Sequence, residues 1–192
     1  MVDISLHLLD LLQNCAHAGA TRADVSVRED AQEDLLEVTV KDNGRGMDDG
    51  LVEKALDPFY SSSPKRVGLG LPFVAQAASM AGGRVRVDST PGKGTAVKAT
   101  FKLSHIDRQP VGDLVATAVS FLAGNFGTEL SITYSGPDGQ EFVFDTKEDV
   151  PPHTRVEMGQ IGFLALVEEK LRDGLAKAGF SPDGGGIGVE VD

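Results

Sequence analysis

The chain has 192 residues, 41% of them hydrophobic and 24% charged, which is ordinary globular usage and argues against disorder. Its formal net charge of −11 is uneven: 12 basic against 14 acidic residues up to Ser104, and 6 against 15 beyond it. That balance excludes nucleic-acid binding through bulk charge, which needs a basic footprint. No apolar run approaches the ~20 residues of a membrane span, and Met1-Val2-Asp3 lacks the basic start of a signal peptide, so no membrane partner is expected. The single cysteine, Cys15, excludes an internal disulfide and a cysteine-rich zinc module, and suits a reducing, cytoplasmic setting.

In chain order, residues 4–18 predict an amphipathic helix, with Leu8, Leu11, Leu12, Cys15 and Ala16 at three- and four-residue steps and Gly19 as its stop. Asp24–Arg28 and Leu35–Lys41 read as strands around an acidic turn, followed by Asp42-Asn43-Gly44-Arg45-Gly46-Met47 and a short helix from Asp48 to Leu56. Residues 57–69 lack periodicity and hold two prolines, the mark of a loop. A helix from about Leu71 to Gly82-Gly83 and a hairpin around Pro91-Gly92-Lys93-Gly94 complete an α-β-β-α-loop-α-β-β order. That order predicts an α+β fold, a two-layer α/β sandwich with a mixed sheet and its helices on one face.

Beyond Ser104 the pattern is α-β-β-α: a helix over Val111–Leu122, a hairpin of Leu130–Tyr134 and Glu141–Asp145, a helix over Ile161–Ala178 and a frayed glycine-rich tail. The boundaries are therefore 1–104 and 105–192, the second a small acidic α+β domain or an extension of the first sheet. Glu168, Glu169, Lys170, Arg172 and Asp173 read as a solvated helix face, and Phe163, Leu164, Leu166, Val167 and Leu171 as core. The acidic excess favours a basic protein partner.

Three constellations could carry chemistry. On the first helix His7, Asp10, Asn14 and His17 form a polar stripe. A carboxylate and a carboxamide four residues apart could hold a hydrated divalent ion, or the stripe is simply a solvent face. His7 and His17 are about 15 Å apart in axial rise, too far to share one ion. The second constellation is Asp42-Asn43-Gly44-Arg45-Gly46, either a tight turn or a place where backbone approaches a flat ligand whose amino group Asp42 accepts from. A dinucleotide fingerprint is excluded, because Asp49 stands where the third glycine belongs. The third is Val67-Gly68-Leu69-Gly70-Leu71 entering a helix, with Lys65 and Arg66 beside it: a plain helix entry, or amide hydrogens aimed at phosphate oxygens. No G-x-S-x-G hydrolase elbow, cysteine pair or HExxH occurs.

Taken together, D-L-L-Q-N-C-A-H-A-G-A-T, V-K-D-N-G-R-G-M, D-P-F-Y, G-L-G-L and P-G-K-G-T resemble the GHKL ATP-binding superfamily over residues 5–103. That group joins gyrase B subunits, heat-shock chaperones of the ninety-kilodalton class, histidine kinases and MutL mismatch-repair proteins. Asn14 to Val27 is similar to the MutL kind and Leu56 to Leu103 to the histidine-kinase kind. The resemblance implies a Bergerat-type fold binding ATP with Mg²⁺.

Position by position, the resemblance implies that Asn14 coordinates the Mg²⁺ and that Asp42 accepts from the adenine amino group. Gly44, Gly46 and Met47 would shape the base pocket, with Thr95 supporting it. Gly68, Leu69, Gly70 and Leu71 would line the phosphates under a lid over about 58–67, with Lys65, Arg66 and His17 nearby. Asp10 stands where hydrolysing members carry a glutamate, one methylene shorter, which puts efficient hydrolysis in doubt. Arg66 replaces a usual glycine, and only five or so residues precede the first helix, so no phosphoacceptor hairpin is expected. A larger transducer domain would supply a catalytic lysine, for which Lys147 and Lys170 are nominal candidates. The expectation is a regulatory ATP-binding protein of histidine-kinase type acting as a kinase on a separate protein, with a nucleotide-gated interaction module or a slow ATPase as alternatives and a homodimer left open.

Overall fold

The computed structural model describes residues 3–56 and 70–183. Six strands form one sheet in the order β3-β4-β2-β1-β5-β6, and every neighbouring pair is antiparallel except β1 with β5. The strands are β1 (Arg22–Asp30), β2 (Leu35–Asp42), β3 (Arg84–Thr90), β4 (Gly94–Lys102), β5 (Glu129–Ser135) and β6 (Glu141–Asp145). Helices α1 (Ile4–His17), α3 (Gly70–Met80), α4 (Leu114–Gly124) and α6 (Pro152–Lys177) form the second layer, with the short α2 (Asp49–Ala55) and α5 (Thr146–Asp149) at its margins.

Strand alternation decides which face the helices cover. Val25 and Val27 of β1 stand across from Val40 and Val38 of β2, which in turn stand across from Val97 and Ala99 of β4. All six are buried, whereas the opposite face carries Arg28, Glu37, Lys98 and similar charges. The parallel partner β5 continues that inner face with Leu130, Ile132 and Tyr134. Phe101, Phe121, Phe144 and Phe163 close one continuous core against it.

Residues 105–183 thus extend the sheet, one of the two placements open from sequence. β4 and β5 run in the same direction with β2 and β1 between them, so the chain joins them by a crossover that passes through α4 in the helical layer. The linker before α4 is tied to the start of α1: the Ile4 N–H donates to the Pro110 carbonyl, and Gly112 (φ +82°) packs on the Asp3 side chain. Asp3 itself caps α1 by accepting from the Leu6 N–H.

One face and two helix starts differ from sequence expectation, and β1 runs two residues further at each end than expected. His7 belongs to the buried side of α1, not to a solvent stripe, because Gln109 of the linker covers it at 3.0 Å from the imidazole Nε2. Helix α4 starts at Leu114, where Asp113 caps it, three residues later than its apolar run suggests. Helix α6 starts at Pro152 and is kinked at Gly159 (φ +63°), so its first turns carry exposed Val156 and Ile161 and lack a readable period. The expected loop over 57–69 and the glycine tail from Gly184 lie outside the described residues. Among the described residues no helix is long and apolar enough to cross a membrane.

Candidate functional site

The site begins where β2 ends. Asp42 is the last residue of β2 and lies on the inner face, only 8% exposed. Its Oδ1 accepts the Gly44 N–H at 2.7 Å, and a carboxylate has room to accept further donors beside that one. Asn43 points the other way and is structural: its side chain accepts from the Thr21 and Arg22 N–H groups and donates to the Thr21 hydroxyl. The chain then turns past α1, with the Arg45 N–H on the Ala18 carbonyl.

Glycine is required here for space. A Cβ on Gly44 would meet the Ala18 methyl at 2.8 Å. At Gly46 (φ +64°) it would fall 2.0 Å from the Thr90 carbonyl oxygen, and at Gly94 (φ +96°) 1.9 Å from that of Asp42. Loop and hairpin therefore sit backbone on backbone. Thr95 lies directly across the ladder from Asp42. Its hydroxyl is 2.9 Å from the Ser89 hydroxyl, which accepts the Met47 N–H at 2.8 Å. Thr95, Ser89 and Met47 make one polar chain beside the carboxylate.

The other end is built by two helices. Asp10 and Asn14 occupy successive turns of α1 on its exposed side. Helix α3 opens against them: a Cβ on Gly70 would stand 3.0 Å from the Asp10 Cβ and 3.6 Å from the Asn14 Nδ2. The first described turn of α3, at the positive end of the helix dipole, is thereby set beside a carboxylate and a carboxamide.

Between the two ends lies a cavity of about 190 Å³. Of the residues singled out from sequence, Asn14, His17, Asp42, Gly46, Met47, Leu71 and Thr95 line it. Gly44 stands behind Asp42, Gly70 stands behind Asn14, and Asp10 is outside the lining. Lys65, Arg66, Gly68 and Leu69 lie outside the described residues. Neither Lys147 nor Lys170 reaches the cavity, Lys170 lining a groove on α6 instead.

Sequence reasoning missed the apolar wall of Leu11, Cys15, Val40, Leu51 and Val97. The signal was present, since Val40 precedes Asp42 by two and Val97 follows Thr95 by two on the inner faces of their strands. Cys15 is buried with its thiol donating to the Leu11 carbonyl at 3.2 Å. Burial pushes that thiol's pKa up and the negative charge of Asp42 adds to it, so it is an inert part of the wall. Among the described residues no group of three or more His, Cys, Asp or Glu side chains could hold a metal. Asn14 and Asp10 do offer hard oxygen donors, the kind that suits a largely hydrated divalent cation.

Residues 2–105 match the family described as Histidine kinase-, DNA gyrase B-, and HSP90-like ATPase. The chain belongs to this family. Similar proteins include the Non-motile and phage-resistance protein of Caulobacter vibrioides, 33% identical over 119 residues that cover 57% of this chain and 14% of that protein. Sporulation kinase A of Bacillus subtilis is 34% identical over 48% of this chain and 15% of its own length. Signal transduction histidine-protein kinase AtoS of Escherichia coli is 33% identical over 50% of this chain and 15% of its own. The chain thus spans only about a seventh of these relatives. In architecture it is similar to the N-terminal domain of a DNA repair protein, with a TM-score of 0.50 at 15% identity over 76% of this chain and 53% of that one. Residues 2–105 therefore form a histidine-kinase-like ATP-binding module of the GHKL type, and the mixed sheet under one helical layer is its Bergerat fold.

Proposed function

We propose that this chain is a regulatory protein that binds ATP with Mg²⁺ in the cavity between α1, α3 and the β2–β4 ladder and uses it to act on a separate protein partner. The observation that carries the reading is the convergence of Asn14 and Asp42 on one cavity, with the first residue of α3 packed on the Asn14 side. Asp42, with Oδ1 held by Gly44, presents its other oxygen to the adenine amino group. The apolar wall takes the faces of the ring, and the Thr95–Ser89–Met47 chain fixes the floor beneath it. At the far end Asn14 and the start of α3 take the charged portion of the nucleotide, where amide hydrogens and the helix dipole favour phosphate. Asn14 would hold the Mg²⁺, which supplies charge neutralisation along the phosphates. The 1–104 and 105–192 units then divide in role while sharing one sheet.

Two activities fit this site. As a kinase, the module transfers the terminal phosphoryl group to a partner, with Asp10 a carboxylate one helical turn from Asn14. As a nucleotide-gated interaction module, it binds without significant turnover. One observation favours the second: Asp10 is exposed and outside the cavity lining, so it is poorly placed as a general base. Calorimetric titration with Mg·ATP and Mg·GTP tests the binding reading. Native protein should prefer ATP, whereas Asp42→Asn, whose amide would face the adenine amino group donor to donor, should lose about tenfold or more for ATP and narrow the gap to GTP. Equal binding of both nucleotides by both proteins would contradict the assignment.

A further inference from the structure

Strand β6 is an edge of the sheet, and nothing among the described residues pairs with its outer side. Its hydrogen-bond phase follows from the turn: the Gly136 N–H donates to the Gln140 carbonyl at 2.8 Å. In an antiparallel ladder bonded pairs alternate, so Tyr134–Phe142 and Ile132–Phe144 are the bonded ones. Glu141, Val143 and Asp145 therefore turn their N–H and C=O groups away from β5. The outward N–H of Asp145 is taken by the Asp149 carboxylate at 2.8 Å. Among the described residues nothing takes those of Glu141 and Val143, and Val143 is 57% exposed.

Beside this edge runs the outer face of α6. Leu166, Lys170, Asp173, Gly174 and Lys177 recur at helical steps along a groove whose other wall is β6. Gly174 sets the spacing, because a Cβ there would overlap the Phe142 ring at 1.9 Å. An edge strand and a helix flanking one groove is the arrangement that accepts an extended peptide by strand addition. The lining carries Glu141, Asp149, Glu169 and Asp173 against Lys170 and Lys177, with Phe142 and Leu166 at its floor. Among the described residues Glu141, Glu169 and Asp173 make no ion pair.

We propose that the groove between the open edge of β6 and helix α6 binds an extended, basic and apolar segment of a partner protein as an added strand. The charges select against a second copy of this chain. Pairing β6 with its own image about Val143 would set Glu141 opposite Asp145, whose charge Arg22 only partly offsets, and would need the Asp145 N–H that Asp149 already holds. A partner alternating lysine or arginine with an apolar residue instead sets its cations on the Glu141 face and buries its apolar side chains on Phe142 and Leu166. This proposal is independent of nucleotide binding, since β6 is separated from β2 by β5 and β1.

The probe is a fluorescein-labelled octapeptide of alternating lysine and valine, titrated by anisotropy into the full chain at physiological salt. We expect saturable binding, loss of about tenfold or more in affinity for the glutamate–valine peptide and for the Glu141→Lys variant, and unchanged Mg·ATP affinity in that variant. Amide exchange should slow at Glu141 and Val143 on binding, and a peptide methylated on alternate backbone nitrogens of its pairing edge should bind about tenfold or more weakly. Binding that survives N-methylation and leaves those two amides unprotected would reduce the groove to a charged surface and overturn the proposal. Absence of binding, or self-association through β6 seen in sedimentation, would overturn it as well.

Discussion

Gly70 and Asp10, sixty residues apart in sequence, meet so closely that a methyl group on Gly70 would stand 3.0 Å from the Asp10 Cβ. The contact fixes where α3 begins relative to α1, and with it the position of the helix's amide hydrogens beside Asn14. Enlarging Gly70 should therefore move the phosphate end without disturbing the base end. Gly70→Val is expected to weaken Mg·ATP by about tenfold, ~1.4 kcal/mol, while adenosine binding stays within about twofold. Parallel titrations with the two ligands check this, and equal loss for both would place the strain elsewhere.

Gly46 tests the base end through stability. A Cβ there would lie 2.0 Å from the Thr90 carbonyl, on a backbone at φ +64°. Gly46→Ala should cost about 2–4 kcal/mol, because turn and hairpin must separate to admit the methyl. Gly19 has a similar φ of +74° but open space around it, so Gly19→Ala should cost only the left-handed penalty of about 1–2 kcal/mol. Urea midpoints of the two variants measure the difference.

Much of this architecture was legible in residue order. Alternating Val25, Val27, Val38 and Val40 announce the inner face of the sheet, and the glycines flanking Asp42 mark where backbones converge. What remained hidden depends on contacts across the chain. His7 reads as polar surface until Gln109 arrives to cover it. Ser89 sits in an exposed-looking strand, and its link between Thr95 and Met47 exists only once the β3–β4 register is set. The first turns of α6 show no apolar period because Val156 and Ile161 stay exposed. The joining of β5 to β1 is a parallel pairing over a hundred residues, which no local pattern encodes.

Arg155 anchors α6 to the sheet. Its guanidinium grips Glu129 at 2.7 and 3.2 Å, donates to the Val150 and Thr146 carbonyls, and lies over the Phe163 ring. Arg155→Ala should cost about 2–3 kcal/mol, less than a fully buried pair because Glu129 is partly open to water. Lysine should not restore it, lacking the planar fork. Burial pushes the Glu129 pKa up, but the hydrogen bonds from Arg155 and Thr146 outweigh it and hold it below the ordinary 4.5. A carboxylate held low stabilises the fold above its ordinary pKa, and that stability is lost as the pH falls below about 4.5. Urea unfolding between neutral and acid pH should show a shallower acid loss in Arg155→Ala than in the native chain.

Asp10 separates the readings of turnover. If any phosphate release or transfer to a partner is seen, Asp10→Ala should reduce it about a hundredfold or more, and Asp10→Glu should raise it by restoring reach. Mg·ATP affinity should change by less than about threefold in either variant. Turnover indifferent to both substitutions would remove Asp10 from the chemistry.

The most direct measurement is thermal unfolding of the whole chain with and without Mg·ATP, alongside Asp42→Asn. At a hundred times the dissociation constant, ligand linkage adds ~2.7 kcal/mol, a rise in Tm of about 5–10 °C for a chain of this size. The native protein should show that rise, and Asp42→Asn should show little or none at the same nucleotide concentration. A native Tm indifferent to Mg·ATP, or an equal rise in both proteins, would contradict a nucleotide held between Asn14 and Asp42.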